Sequence, residues 1–292
     1  MLLNHNVDLH YHAGSERSGE TSLRFYLDHA RMTGRLLVGV TDHLERYDPK
    51  RLRNPYGPGA EGWANYRAEL DSLKPEFPTM RLLLCPEVSL ERADDLLTPE
   101  VAEFADGFIL EPPRIYDCTD IETNTKSWTA GVGRIAEIGR EIGKPVHMAH
   151  PFREAANNRV IENPIEPWIT DLPVRPECDF SDEEVNRFFM MDVRALGRAL
   201  VAHGLSTEVS GDTVARIDRI SLPSCRQILH AGYRMLHEEG VDLVPGSDHH
   251  VATDVIGRVG TPVPASVLDW LGITPENMSY LDTICPEGMQ RT

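Results

Sequence analysis

The 292-residue sequence contains no uninterrupted apolar run of the roughly 18 residues that a membrane helix needs. The N-terminus has no basic region followed by a long apolar one, which argues against a secretory signal. No internal repeat and no low-complexity tract appears, so solenoid and disordered classes are set aside. Cysteine is sparse: Cys85, Cys118, Cys178, Cys225 and Cys285 are dispersed, odd in number, and form no CxxC. That pattern excludes a disulfide frame and a thiolate zinc site, and it predicts reduced thiols in a cytoplasmic protein. Positive charge is also short. With 29 basic against 46 acidic residues the formal net charge is −17. Such a surface repels a phosphate backbone, so nucleic acid is not an expected partner, and neither is a membrane. A small phosphorylated substrate stays open, because a bound cation reverses the local field. The sequence carries no signal of oligomeric state.

What the chain does contain is a recurring unit: a short apolar run, a polar tip, then a helix-like stretch. Seven apolar runs read as strands: Asn6–His10, Arg35–Thr41, Met80–Cys85, Gly107–Leu110, Lys144–Ala149, Leu205–Val209 and Val241–Pro245. Between them the spacing predicts helices over Thr21–Thr33, Gly62–Leu73, Thr98–Ala105, Thr129–Ile142, Ser181–Ala202 and Ser224–Glu239. Ser181 and Glu184 form a capping box at the start of the fifth helix. Alternating strands and helices imply parallel βαβ units. Seven units in a chain of this length predict a distorted seven-stranded (β/α)7 TIM-like barrel. It is expected as one domain over 1–292, with an irregular insertion at about 153–180 and a C-terminal extension at about 261–292.

In such barrels the working groups sit at the C-terminal ends of the strands. Here every strand delivers a histidine or carboxylate to its end: His10 and His12, Asp42 and His43, Glu87, Glu111, His150, Glu208, and Asp248 with His249 and His250. No lysine, serine or cysteine nucleophile shares the pattern. His10 and His12 lie two apart on a strand, so both point to one side. A metal ion and a solvated loop are both compatible with that pair alone; the complete set of strand tips favours metal. Imidazole and carboxylate suit zinc, manganese or iron.

In the order DLHYH, TDH, PE, AHP, E and GSDHH, these tips resemble the PHP family, named for polymerase and histidinol phosphatase, over roughly residues 6–258. The resemblance implies a distorted seven-stranded barrel, up to three metal ions and hydrolysis of phosphate esters. It places His10, His12, Glu87 and Asp248 on one ion. Glu87 would bridge to a second ion also held by His150, and His43 and His250 would hold a third. Two positions depart from the family pattern. Glu111 stands where members carry a histidine. It either replaces that histidine as an oxygen ligand, favouring manganese, or leaves two ions in place of three. In the loop after His12, Glu16 is the plain candidate for a further ligand. Arg17 and Arg153 follow strand ends and are expected to bind a substrate phosphate. Asp42 and His250 are the candidates for assisting the leaving oxygen.

The expected reaction is hydrolysis of a small phosphorylated metabolite by a metal-activated water. An amidohydrolase-like hydrolysis of a C–N or lactone bond, and a non-catalytic metal-binding module, are the alternatives. The TDH motif and Glu87 argue against the first, and completeness of the ligand set against the second. Of the remaining histidines, His5, His29, His147, His203, His230 and His237 are expected to be bystanders. Trp63, Trp128 and Trp168 either line a pocket or anchor packing.

Overall fold

The structure is a computed structural model that describes residues 4–13, 22–47, 56–57, 59–113, 120–156, 166–219, 221–248 and 263–285. Strands and helices alternate in chain order. The first half runs β1 (Val7–His12), α1 (Leu23–Met32), β2 (Leu37–Thr41), α2 (Gly59–Leu73), β3 (Arg81–Leu84), β4 (Glu87–Ser89), α3 (Leu90–Leu96), α4 (Pro99–Ala102), β5 (Phe108–Glu111), α5 (Ile121–Ile142) and β6 (Val146–Met148). The second half runs α6 (Arg153–Ala156), α7 (Pro167–Thr170), α8 (Asp182–Phe189), α9 (Val193–His203), β7 (Ser206–Ser210), α10 (Gly211–Arg219), α11 (Pro223–Glu238), β8 (Leu243–Gly246), α12 (Ala265–Trp270) and α13 (Tyr280–Ile284). Among the described residues no helix is long and apolar enough to cross a membrane.

All strand pairs are parallel. They form a three-stranded sheet, β1-β2-β3, and a five-stranded sheet, β4-β5-β6-β7-β8. The expectation of seven strands therefore meets eight, in two sheets, among the described residues. The additional strand is β4, separated from β3 by Cys85 and Pro86. Proline cannot donate to a ladder, so the run breaks there and restarts at Glu87. Backbone hydrogen bonds also join residues at the ends of strands in the two sheets. Glu87 N–H donates to Asp42 O at 3.0 Å, and Asp248 N–H donates to His10 O at 2.8 Å.

β1 shows how the sequence positions the site. All six of its residues are buried. Val7, Leu9 and Tyr11 face the helical side, where Tyr11 Oη meets His29 Nδ1 at 2.7 Å. His10 and His12 face the opposite side, while Asp8 precedes a shift in the pairing register with β2 and lies 3.4 Å from Arg35 Nε. A strand buried on both faces normally reads as continuously apolar. The polar half of this one is tolerated only because its partners are also inside.

The helices follow their local signals, with two main differences from the spacing. α1 is capped by Ser22 and buries Leu23, Tyr26, Leu27 and Ala30, as the periodicity predicts. α5 starts eight residues earlier than expected. Asp120 caps it by accepting from the Glu122 and Thr123 N–H groups, and Gly143 closes it at φ 65°. Thr123 and Thr125 are poor helix formers and mask that first turn; burial of Asn124 and Trp128 on the core face overrides them. The long helix expected over Ser181–Ala202 is two helices. Its capping box is present, but Met190 takes a left-handed φ of 53° and Asp192 starts α9 by accepting from Ala195 N–H. The insertion contains α6 and α7, and the C-terminal extension contains α12 and α13. Trp63 and Trp128 are fully buried packing anchors, while Trp168 lies under the Arg187 guanidinium at 4.2 Å.

Candidate metal centre

The ends of β1, β4 and β8 bring four side chains to one point. His10 Nε2 lies 3.0 Å from His12 Nε2. Glu87 Oε2 lies 3.3 Å from His10 Nε2 and 3.2 Å from His12 Nε2. Asp248 Oδ1 lies 3.6 and 3.4 Å from the same two nitrogens. A tetrahedral ion with nitrogen and oxygen ligands at about 2.0–2.1 Å has ligand–ligand edges of about 3.3 Å. Five of the six edges are therefore close to the spacing of a first coordination shell, and the sixth, between Glu87 and Asp248, joins two carboxylates that fall in different potential metal-holding groups. All four residues are at most 1% exposed.

Two further groups share these ligands. His150 Nε2 stands 3.1 Å from Glu87 Oε1, and His43 Nδ1 stands 3.1 Å from Glu87 Oε2. The potential metal-holding groups are thus His10, His12 and Asp248; His10, Glu87 and His150; and His12, His43 and Glu87. Glu87 is their hinge, with one oxygen turned to each side. A carboxylate in a fully buried position facing four imidazoles is costly unless it is paired or bound to a cation. Its Oε2 accepts no hydrogen bond among the described residues.

Electrostatics within the cluster run the same way. Burial disfavours the imidazolium of His10, but the carboxylates of Glu208, Glu87 and Asp248 outweigh it and hold the His10 pKa well above the usual range. Burial works against the Glu87 carboxylate too, yet His10 and His43 pull its pKa well below normal. The pocket is therefore built to hold positive charge against carboxylates. A cation and a proton compete for His10 Nε2, so ligation there releases a proton and weakens as the pH falls.

Residues around the cluster fix its orientation. Glu208 Oε2, on β7, sits 2.7 Å from His10 Nδ1 and is itself fully buried. Accepting the Nδ1 proton leaves the Nε2 lone pair directed at the cluster. Sequence spacing placed Glu208 at a strand tip but gave it no role. Asp8 is the second residue the spacing did not single out. Its Oδ1 accepts from Ser247 N–H at 2.9 Å, tying β1 to the turn that carries Asp248. Burial raises the Asp8 pKa, and Arg35 and Ser247 oppose the rise. Asp248 itself sits at φ 50°, a left-handed conformation that aspartate tolerates and that commonly marks a functional position.

Gly246 is needed where β8 passes β1. A Cβ there would lie 2.9 Å from Glu208 Oε2 and 2.9 Å from His10 Cβ. His10 Cβ is fixed to the backbone and has no rotamer to escape into. Gly246→Ala is expected to destabilise by about 1–3 kcal/mol through overpacking. It should also disturb the His10–Glu208 pair, so chemical denaturation and metal titration should both register it. Unchanged values in both would contradict this packing.

The other expected residues divide into three kinds. Glu111, ending β5, has Oε1 3.8 Å from His150 Nε2, but the same oxygen accepts from Arg153 Nη2 at 2.7 Å. Burial and the Glu87 charge raise the Glu111 pKa, partly offset by Arg153 and His150. Arg153 opens α6, and its Nη1 donates to Asp248 Oδ2 at 2.8 Å. Asp42 is buried, and its Oδ1 accepts from the His43 N–H at 2.9 Å. His147, expected to be a bystander, has its Nδ1 2.8 Å from Ser206 Oγ, and burial lowers its pKa to about 4. Glu16, Arg17 and His250 lie outside the described residues.

No protein-family model matches the chain, and no curated protein matches it. Among solved structures the chain is similar to histidinol phosphate phosphatase from Lactococcus lactis, solved with zinc, L-histidinol and phosphate. The TM-score is 0.49 at 15% identity, covering 96% of this chain and 92% of that one. It is also similar to 5-methylcytosine deaminase from Klebsiella pneumoniae liganded with 5-fluorocytosine. There the TM-score is 0.40 at 15% identity, covering 88% of this chain and 62% of that one.

Proposed function

We propose that the chain is a metal-dependent phosphoesterase of the PHP type, acting on a small phosphorylated metabolite. The observation that carries the metal reading is the set of five distances of 3.0–3.6 Å among His10 Nε2, His12 Nε2, Glu87 Oε2 and Asp248 Oδ1. The phosphoesterase reading adds the order of the strand-end motifs to it. In this reading the two sheets are parts of one distorted barrel within a single domain, and the hydrogen bonds at the Asp42–Glu87 and His10–Asp248 seams support it.

Two or three divalent ions of manganese, zinc or iron would supply Lewis acidity and a water of lowered pKa. The residues of the chain do the rest. His10, His12, Glu87 and Asp248 hold the first ion. Glu87 and His150, with His10 in the same group, would hold a second. His43 and His250, with Glu16, would hold a third. Glu208 keeps the His10 tautomer. Arg17 and Arg153 bind the anionic group of the substrate, and Asp42 and His250 pass a proton to the leaving oxygen. The described cysteines Cys85, Cys178, Cys225 and Cys285 are all unpaired and buried, which suits a cytoplasmic setting.

The test is a substrate panel with and without chelator. Phosphate esters should be hydrolysed by metal-loaded protein, the activity should vanish with chelator, and it should return with manganese or zinc. Hydrolysis of amides or lactones in place of phosphate esters would favour the amidohydrolase-like chemistry. Bound metal with no turnover on either class would favour a binding module.

A further inference from the structure

Arg153 does something that the phosphate-binding expectation does not require. Its guanidinium spans two carboxylates, donating from Nη1 to Asp248 Oδ2 at 2.8 Å and from Nη2 to Glu111 Oε1 at 2.7 Å. The side chain is only 14% exposed, as is that of Glu111. Its backbone is held as firmly. Arg153 N–H donates to His150 O at 3.1 Å, closing the turn between β6 and α6. The neighbouring Phe152 is fully buried, stacked on Phe189 at 4.1 Å and edge-on to Tyr233 at 5.0 Å.

This placement bears on the ion that Glu87 and His150 would share. Among the described residues that ion could take His10, Glu87 and His150, with Glu87 Oε1 and His150 Nε2 3.1 Å apart; Glu111 Oε1, 3.8 Å from the same nitrogen, is the further oxygen within reach. The Glu111 oxygen is the one already bonded to Arg153. A divalent ion there would have to share it with a guanidinium, placing two cations against one oxygen atom. A guanidinium keeps its charge at every accessible pH, so it cannot step aside by deprotonation.

Resting on the metal-centre reading, we propose that Arg153 is a built-in counter-cation. It takes the place of one divalent ion, and Glu111 is its partner and not a metal ligand. Where the PHP pattern has a histidine after strand four, this chain has a carboxylate matched to an arginine. Positive charge that would otherwise arrive with an ion is supplied covalently. The remaining clusters, built on His10, His12, Glu87 and Asp248, keep their ions.

The experiment measures metal content of the full chain after saturation with manganese and desalting. Elemental analysis gives ions per chain, and circular dichroism reports folding. Arg153→Met should gain one ion per chain over the wild type, and Arg153→Lys, which keeps the charge, should stay at the wild-type count. Glu111→Gln in the wild-type background should leave the count unchanged. The same change added to Arg153→Met should remove the gained ion. An unchanged or lower count in Arg153→Met would overturn the proposal, and so would loss of an ion in Glu111→Gln alone. If Arg153→Met does not fold, the Glu111→Gln result decides by itself. A rise in KM without a gain of metal would assign Arg153 to the substrate alone and contradict the counter-cation role. Wild-type protein that retains no manganese would overturn the metal-centre reading itself, an outcome distinct from all of these.

Discussion

His10→Ala should remove metal from the proposed centre and lower turnover by orders of magnitude, while the far-ultraviolet circular dichroism should stay that of the wild type. His10 joins four of the side chains at the centre, as many as Glu87 does. His10 Nε2 faces His12 Nε2, Glu87 Oε2 and Asp248 Oδ1, and His10 Nδ1 faces Glu208 Oε2. It belongs to two of the three potential metal-holding groups, so its loss weakens both. Its backbone is unaffected by truncation: the His10 carbonyl still accepts from Asp248 N–H. The buried carboxylates of Glu87, Glu208 and Asp248 are then left with one imidazole fewer. For that reason metal-free His10→Ala should be less stable than metal-free wild type at neutral pH. Metal analysis and steady-state kinetics on a phosphate ester check the first part. Normal hydrolysis by metal-replete His10→Ala would contradict it.

The second large effect comes from a residue that touches no ion. Glu208→Ala should lower metal affinity by about 10–100-fold, the usual consequence of removing the partner that orients a ligating histidine. With Glu208 gone, His10 Nδ1 lies buried with its partner lost, at a cost of about 1–3 kcal/mol. The ring no longer has a fixed tautomer. Glu208→Gln separates charge from geometry, because the amide oxygen can still accept the Nδ1 proton. It should keep most of the affinity if tautomer is what matters, and lose as much as Glu208→Ala if the negative charge is what matters. Metal titration by calorimetry distinguishes the two. Wild-type affinity in Glu208→Ala would contradict the orienting role.

The sequence made the polar pair of β1 legible because a strand has a period of two: His10 and His12 had to share a side. The tips at Asp42-His43, Glu87, His150 and Asp248 were legible because each ends an apolar run, and the structure brings His43, Glu87, His150 and Asp248 together with the β1 pair. What the pattern could not give was pairing between distant elements. Nothing near Glu208 indicates that its partner is His10, 198 positions away. Arg153 stands at a strand end as expected, but only the fold shows its fork turned to Glu111 and Asp248. Local detail was lost where two signals conflicted. Pro86 hid β4 by splitting one apolar run into two strands. The apolar residues around Met190 hid the break between α8 and α9, although Asp192 carried the capping signal. Helix α10 begins at Gly211 directly after β7, with no connecting loop to announce it.

Anomalous diffraction from a crystal of the zinc-loaded protein tests the central claim most directly. A peak about 2.0–2.2 Å from His10 Nε2, His12 Nε2 and oxygens of Glu87 and Asp248 is predicted. A metal-loaded crystal with no density between those four side chains, or with Asp248 turned away from His10, would contradict it.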